Sequence, residues 1–317
     1  MPNRLSRLVR RAARWGGCRF VSGGVILGYH RIAAEPDDPW HLCVRPDHFA
    51  EQLEVLVRRM RPVRLDALAA DRQPGPREVA ITFDDAYLDV LLAALPVLER
   101  FGIPATVFVV TDALGTSFWW DRVVALQRTA PPAKVTVTVP AVSGMSGAGT
   151  ITVDSRRPVP AALRTMFRTS SDAGRSQVLE QLREGFGLID LTGAARTVTA
   201  DELQRLAAHP LIEIGAHTRT HPDLARLTTA QVDEEVRGSR QSLGDLLGRD
   251  VGAFAYPHGS VSPGVRTAVQ RAGFALACAG DPGRVRQDTD RLTLPRLWPA
   301  DVDGEGFERF LRRWTGN

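Results

Sequence analysis

Runs of apolar and β-branched residues alternate along the chain with longer segments in which apolar positions recur every three or four residues. The first pattern is typical of buried strands and the second of amphipathic helices. The alternation predicts an α/β fold in which βα units surround a parallel sheet or barrel. The predicted strands are residues 25–29, 79–83, 105–110, 212–216, 252–255 and 275–277, and the predicted helices are 46–60, 87–101, 200–208, 229–247 and 263–272.

The alternation breaks down between about residues 130 and 191. Residues 134–139 alternate like a strand, 142–149 are small and glycine-rich, 151–153 resemble a return strand, and 175–186 have a helical pattern. We therefore predict an inserted β-hairpin with helices, longer than an ordinary βα connection and suited to a lid or a partner surface. Just before it, Trp120 in the segment Phe118-Trp119-Trp120-Asp121 is a candidate platform for a sugar ring. Packing of the insertion is the alternative role.

Residues 1–22 form a basic amphipathic segment with six arginines and no acidic residue in the first nineteen positions. The segment lacks the continuous apolar core of a secretory signal and is too short to span a bilayer, so we expect a cytoplasmic protein. Peripheral contact with the inner face of the membrane is one role for it, and a solvated arm or a cap on the barrel is the other. The remainder, 23–317, is predicted to be one catalytic domain. The net charge of +4 is concentrated at this terminus, so no nucleic-acid partner is expected.

Two aspartates, Asp84 and Asp85, follow the predicted strand 79–83. Parallel α/β folds place their functional sites at such carboxyl ends. Neighbouring side chains of an extended chain diverge, so one carboxylate can bind a metal while the other handles a proton. The alternative is that one of them caps the following helix.

Two histidines, His217 and His221, follow the predicted strand 212–216. Imidazole nitrogens and a carboxylate oxygen suit a divalent ion, and three protein ligands leave a coordination position open for water or substrate. Zinc is the expected metal, and cobalt, nickel and iron are also compatible with this ligand set. The alternative is a pair of ordinary surface-loop histidines.

Three motifs occur in the order Thr82-Phe83-Asp84-Asp85, His217-Thr218-Arg219-Thr220-His221-Pro222 and Tyr256-Pro257-His258-Gly259. In these motifs the sequence resembles the polysaccharide deacetylase family, carbohydrate esterase family 4, with its chitooligosaccharide deacetylase homology domain. The resemblance covers roughly residues 25–297. It implies a distorted (β/α) barrel with fewer than eight regular strands.

The resemblance also implies a role for each motif residue. Asp84 would be the catalytic base, and Asp85, His217 and His221 would hold the metal. The backbone N–H of His258 would stabilise the oxyanion, and Tyr256 in the same loop is a candidate substrate-binding residue.

Three positions depart from the family pattern. Many members supply a late histidine as general acid, whereas no histidine follows His258. A subset of the family instead begins with an apolar strand that ends in Tyr-His, which Tyr29-His30 resembles, so His30 is our candidate acid. A structural histidine beneath the site is the alternative for His30. Ala86 replaces the usual glycine, which is tolerable if its φ is negative. Ala255 replaces an arginine, and Arg296 is the candidate to return one, unless it is an ordinary surface residue.

The predicted function is metal-dependent hydrolysis of a non-peptide C–N amide bond. It would remove an acetyl group from an N-acetylated amino sugar in a polysaccharide or in a lipid-linked or nucleotide-linked precursor, so the expected partner is an acetylated glycan or glycolipid. One alternative is an O-acetyl glycan esterase, since both reactions pass through a similar oxyanion. The other is a catalytically silent glycan-binding protein of the same fold.

Overall fold

The structure is a computed structural model that describes residues 23–36, 38–139, 149–170, 172–187 and 195–315. The predicted N-terminal segment 1–22 and most of the glycine-rich stretch 142–149 lie outside these ranges. The described chain forms two compact units. We call them the barrel unit (23–34, 42–114 and 198–315) and the hairpin unit (35–41 and 115–197). The hairpin unit contains the predicted insertion together with residues on either side of it.

Most of the described strands belong to the barrel unit, and two of them, β7 and β8, belong to the hairpin unit. In chain order the strands are β1 (Val25–Tyr29), β2 (Arg31–Ile32), β3 (Cys43–Val44), β4 (Arg61–Pro62), β5 (Glu78–Phe83), β6 (Ala105–Val109), β7 (Lys134–Val139), β8 (Gly149–Asp154), β9 (Ile212–Ala216), β10 (Ala253–Ala255) and β11 (Leu276–Cys278).

The α-helices follow the strands in βα order, and α4 to α6 belong to the hairpin unit. They are α1 (Pro46–Arg59), α2 (Leu65–Leu68), α3 (Leu95–Phe101), α4 (Trp119–Thr129), α5 (Ala161–Thr169), α6 (Asp172–Phe186), α7 (Ala200–Ala207), α8 (Thr229–Leu247), α9 (Pro263–Arg271) and α10 (Gly304–Thr315). Short 3-10 turns occupy Thr111–Ala113, Leu224–Arg226 and Pro257–Gly259, and a π-helix occupies Val90–Ala94.

The sheet of the barrel unit has the strand order β1-β5-β6-β9-β10-β11, with β4 pairing beside the start of β5. All of these pairs are parallel. Residues 294–297 join the two edges: Leu297 N–H donates to Ile26 O at 2.8 Å, and Leu294 N–H donates to Ala277 O at 2.8 Å. The sheet therefore curls until one short segment pairs with β1 and β11. This confirms the predicted distorted (β/α) barrel.

Every residue of β1, β5 and β6 is buried, which is the pattern of parallel strands covered on both faces. Gly215 in β9 is required by close packing, because a Cβ there would lie 2.5 Å from the Phe108 ring. The apolar barrel interior supports the polar side chains at the carboxyl ends of the strands.

The predicted helix 87–101 begins at residue 88, within one residue of the prediction, but it contains an unexpected irregularity. After residues 88–89 comes the π-helix Val90–Ala94, in which Leu95 N–H bonds to Val90 O five residues back, and α3 follows. Pro96 has no N–H, so the usual bond to the residue four positions back cannot form. The helical run begins at residue 88, so neither Asp84 nor Asp85 lies at the capping position before it. Helices α2, α4, α5 and α10 were not predicted.

The hairpin unit contains the predicted antiparallel pair, with Val139 opposite Gly149. Buried and exposed residues alternate along β7, whose inner face packs in a cluster with α5 and α6. The helix predicted at 175–186 is α6. Trp120 lies in this unit, is 7% exposed, and stacks on Phe118 with ring centroids 4.3 Å apart.

Across the ranges that the structure covers, no helix combines the length and the apolar character that crossing a bilayer requires.

Candidate metal centre

The carboxyl ends of neighbouring parallel strands bring the predicted polar residues together. Asp84 and Asp85 follow β5, and His217 follows β9. The Nδ1 atom of His217 lies 2.8 Å from the carbonyl oxygen of Ala255, which ends β10. A carbonyl oxygen can only accept, so Nδ1 carries the proton and Nε2 keeps its lone pair. This hydrogen bond fixes both the orientation and the tautomer of the ring.

Asp85, His217 and His221 form a buried cluster whose ligand atoms all lie within 4.8 Å of one another. The Oδ1 atom of Asp85 is 3.5 Å from His221 Nε2 and 3.8 Å from His217 Nε2. Burial lowers the pKa of His217 and outweighs the opposing charge of Asp84, so its ring stays neutral. Two imidazoles and a carboxylate that converge on one point fit a divalent metal ion.

The backbone of the site is held in an unusual conformation. Within the described ranges, every non-glycine residue with positive φ except His41 belongs to one of the three motifs or directly follows one. Left-handed conformations cost about 1–3 kcal/mol each for such residues and persist only where the surroundings enforce them. These residues and their φ angles are Asp85 (68°), Ala86 (50°), Thr218 (68°), His221 (62°) and His258 (57°).

Ala86 does not have the negative φ under which we considered alanine tolerable. It occupies the left-handed region that glycine would occupy without strain. Its side chain is fully buried, and its carbonyl accepts a hydrogen bond from Val198 N–H at 2.9 Å. The turn after the two aspartates is therefore formed despite a Cβ, with the surrounding packing maintaining it.

Arg296 lies against Asp84 in the interior of the site. Its Nη1 donates to Asp84 Oδ1 at 2.6 Å and its Nη2 to Oδ2 at 2.8 Å. Further bonds reach Thr82 Oγ1 and Ala279 O, both at 3.3 Å. Arg296 is 0% exposed, so it is not an ordinary surface arginine. Burial alone would raise the pKa of Asp84, but the Arg296 charge lowers it to about 2.

His30 follows β1, whose last residue Tyr29 pairs with Phe83, the residue before Asp84, so His30 lies at the same edge of the sheet. Its charge also lowers the pKa of Asp84. Its ring stacks on Trp298 with centroids 5.1 Å apart and planes inclined by 22°. The Arg296 guanidinium also lies against Trp298, 4.6 Å from the ring centroid. Trp298 is 36% exposed, so it presents an apolar surface beside His30.

The third motif forms the 3-10 turn Pro257–Gly259. The ring of His258 lies 4.7 Å from that of His221, so the turn borders the proposed ligands. Tyr256 is fully buried, and its hydroxyl donates to Leu292 O at 2.8 Å. The burial and this hydrogen bond give Tyr256 a packing role. Trp120 lies in the hairpin unit. Substrate contact by either residue stays a prediction.

Two further residues of the site were not predicted. Trp298 follows Arg296 by two positions, and Glu235 lies on α8, where its carboxylate binds the loop between His217 and His221. Trp298 lies in none of the three motifs. In the sequence, Glu235 looks like any solvent-exposed acidic residue on a helix. Only the three-dimensional contacts identify them.

A sequence model of the polysaccharide deacetylase family matches residues 71–147 and 161–277. The chain therefore belongs to this family. YxkH of Bacillus subtilis (strain 168), a protein named after the same family, is 19% identical over 245 residues, which are 77% of this chain and 60% of YxkH. The chain thus spans less than two thirds of that relative.

Two solved structures share the fold. The Streptococcus pyogenes deacetylase PplD in complex with acetate has a TM-score of 0.59 at 18% identity, covering 90% of this chain and 97% of PplD. IcaB from Ammonifex degensii has a TM-score of 0.60 at 18% identity, covering 94% of this chain and 98% of IcaB.

Proposed function

We propose that this protein is a metal-dependent deacetylase that hydrolyses the acetamide of an N-acetylated amino sugar in a glycan or in its lipid-linked or nucleotide-linked precursor. One observation carries the proposal: a carboxylate outside the Asp-His-His cluster, Asp84, is held by Arg296 with its Oδ2 3.8 Å from His217 Nε2. A proton acceptor beside a set of metal ligands is the arrangement that hydrolysis of an amide requires.

Asp85, His217 and His221 would hold the metal, for which zinc is the first candidate and cobalt, nickel and iron are compatible. When bound, such an ion lowers the pKa of a coordinated water and polarises a carbonyl.

Asp84 is the base in this proposal. A carboxyl with a pKa of about 2 is ionised throughout the physiological range, so it can accept the proton of the attacking water. The two hydrogen bonds from Arg296 use one lone pair on each oxygen and fix the plane of the carboxylate. Arg296 thus keeps the base both charged and oriented.

The backbone N–H of His258 would donate to the oxyanion that forms as water attacks the acetyl carbon. The tight packing of its turn supports this role: Gly259 has a φ of 65°, and a Cβ there would lie 2.3 Å from Gly280 Cα. A donor in so rigid a turn needs little reorganisation during the reaction.

His30 would protonate the leaving nitrogen. An amine is expelled from a tetrahedral intermediate only once it is protonated, and His30 lies close enough for its charge to act on Asp84. This requirement is stronger for an amide than for an ester, which supports the N-acetyl substrate. The exposed face of Trp298 beside His30 offers an apolar contact for the acetyl methyl or a sugar ring.

The name of PplD supports the same reaction class, since that deacetylase was solved with acetate, the product proposed here. A cytoplasmic location, with residues 1–22 against the inner face of the membrane, would favour a precursor or glycolipid over an extracellular polysaccharide.

Acetate release tests the proposal. Zinc-loaded wild type, chelated protein and Asp84→Asn are compared on N-acetylglucosamine oligomers, lipid-linked amino sugars and acetylated xylan, with the exposed Asp71→Asn as the matched control. We expect release from an N-acetylated member by wild type and Asp71→Asn, and none from Asp84→Asn although it still binds zinc. Undiminished release by Asp84→Asn would refute the role of this base. Release from xylan alone would indicate an esterase, and tight zinc binding without any release would indicate a silent glycan-binding protein.

A further inference from the structure

Glu235 is connected to the proposed metal ligands through the backbone between them. It lies on α8, while His217 and His221 enclose the three-residue loop Thr218-Arg219-Thr220. The Oε2 atom of Glu235 accepts the backbone N–H groups of Arg219 at 2.8 Å and Thr220 at 2.9 Å. Its Oε1 accepts the hydroxyl of Thr220 at 2.7 Å. Both carboxylate oxygens are thus engaged by this one loop.

The loop has a conformation that its own residues do not favour. Thr218 has a φ of 68° and His221 a φ of 62°, although threonine is β-branched and strongly disfavoured there. A hydrogen bond within the motif, from His221 N–H to Thr218 Oγ1 at 3.0 Å, does not involve the backbone of Arg219 or Thr220. Consecutive N–H groups that point at one anion form a compact anion-binding turn, and charge-assisted bonds of this kind are the strong ones. The Glu235 carboxylate therefore stabilises the turn that aims both histidines.

The ion pairs of the Arg219 side chain account for the conformation of this turn less well than the Glu235 carboxylate does. Arg219 bonds through its guanidinium to Asp112 at 2.9 Å and to Glu234, and these groups are substantially exposed. Exposed pairs contribute little, and they hold a side chain rather than the loop backbone. Glu235 is partly buried on a helix whose first turn is fixed by a capping box at Thr228.

We infer that Glu235 is a positioning residue for the metal site: its carboxylate fixes the backbone between His217 and His221 and so sets metal affinity and coordination geometry. The inference rests on the metal binding in the proposed function. Residues that orient metal ligands without contacting the metal themselves typically change metal affinity by about 10–100-fold when they are removed.

Dissociation constants for Zn2+, measured by competition with a chromophoric chelator, test the inference without any turnover. Glu235→Ala is expected to raise the dissociation constant by about 10–100-fold. Glu235→Gln is expected to stay within about threefold of wild type, because its amide oxygen can accept both N–H groups and its NH2 can donate to Thr220 Oγ1. The matched control is Glu234→Ala, which removes a carboxylate from the adjacent position of the same helix and should leave affinity unchanged.

A second readout separates positioning from folding. The visible absorption of the Co2+-loaded protein depends on coordination geometry and should change in Glu235→Ala but not in Glu234→Ala. Thermal unfolding of the metal-free proteins shows whether each variant is folded at the assay temperature. If Glu235→Ala is unfolded at that temperature, Glu235→Asp is measured instead. Its shorter side chain keeps the charge but cannot reach both N–H groups and the hydroxyl. Its dissociation constant should rise at least about tenfold.

Folded Glu235→Ala or Glu235→Asp with wild-type affinity and an unchanged cobalt spectrum would overturn the inference while leaving the proposed metal site intact. A wild type that binds none of the candidate ions would instead overturn the metal-dependent function, and the role of Glu235 with it. Equal losses in Glu235→Ala and Glu234→Ala would show that only net charge matters, which would also overturn the inference.

Discussion

Replacement of Arg296 by methionine should leave the Asp84 carboxylate buried without its cation. Methionine has a similar length and no charge, so the change removes the hydrogen bonds at 2.6 and 2.8 Å without opening a large cavity. Breaking a buried pair by removing one partner costs about 3–5 kcal/mol. The pKa of Asp84 should then rise above its ordinary value, because burial, the largest influence on it, is no longer opposed by Arg296.

The size and pH dependence of the effect follow from the pKa of Asp84. In wild type this pKa is lowered from 3.8 to about 2, which corresponds to roughly 2 kcal/mol in favour of the ionised form. A lowered pKa contributes stability that is complete above the unfolded value near 3.8 and is lost as the pH falls towards 2. In Arg296→Met the raised pKa has the opposite effect on the free energy of unfolding. The variant is destabilised at neutral pH and recovers stability as Asp84 becomes protonated. The stability difference between the two proteins should therefore shrink on acidification.

Urea denaturation of the metal-free proteins measures this difference, followed by circular dichroism at pH 7 and at pH 4.5. A double-mutant cycle with Asp84→Asn isolates the pair, and we expect a coupling of at least roughly 2 kcal/mol at pH 7. The exposed pair of Arg45 and Asp47, whose polar atoms are 2.8 Å apart, is the control and should give a much smaller coupling. A coupling no larger than that of the control, or a destabilisation independent of pH, would refute the reasoning.

Three further outcomes are expected. His30→Gln should lower kcat on an N-acetyl sugar by about 10²–10⁴-fold but spare an aryl acetate, whose leaving group needs no proton; equal losses on both would count against His30 as the acid. Zinc at a thousandfold excess over its dissociation constant should raise the free energy of unfolding by about 4 kcal/mol, and His217→Ala should abolish this gain in a titration followed by urea melts. Gly259→Ala should lower the free energy of unfolding by about 1–3 kcal/mol and reduce acetate release, because its Cβ would collide with Gly280. The control is Gly264→Ala, whose Cβ would meet nothing within 4 Å and which should do neither. Similar melts for the two variants would contradict the close packing of the turn.

Much of the barrel could be predicted from the sequence because its strands are continuous apolar runs. The run that became β1 matched the predicted range, and the polar residues at its carboxyl end and at those of β5 and β9 meet at one edge of the sheet. Parallel pairing makes that meeting a geometric necessity. The ligand cluster followed from the same rule, since residue type and strand end together restrict which side chains can converge.

The failures concern backbone angles and contacts between distant segments. Ala86 has a left-handed φ although alanine gives no local signal for it. Helix α10 was missed even though Phe307 and Leu311 are buried at a spacing of four residues, a signal that could have been found. The π-helix Val90–Ala94 was not predicted, although Pro96 is a local signal for an irregular turn. The role of Glu235 depends on the fold of a loop, which no local pattern encodes.

The pairing of residues 294–297 with β1 and β11 also bears on how the chain folds while it is being synthesised. Leu27 and Leu297 are bridged across about 270 residues, which a ribosome adds in roughly fifteen seconds to a minute. During that interval one edge of β1 has no partner, and an open apolar edge is prone to pair with other chains. Asp84 likewise has no guanidinium beside it until Arg296 emerges. We therefore expect the nascent chain to depend on chaperones until this segment is made, and a chain terminated at residue 293 to aggregate, although it would contain all three proposed metal ligands.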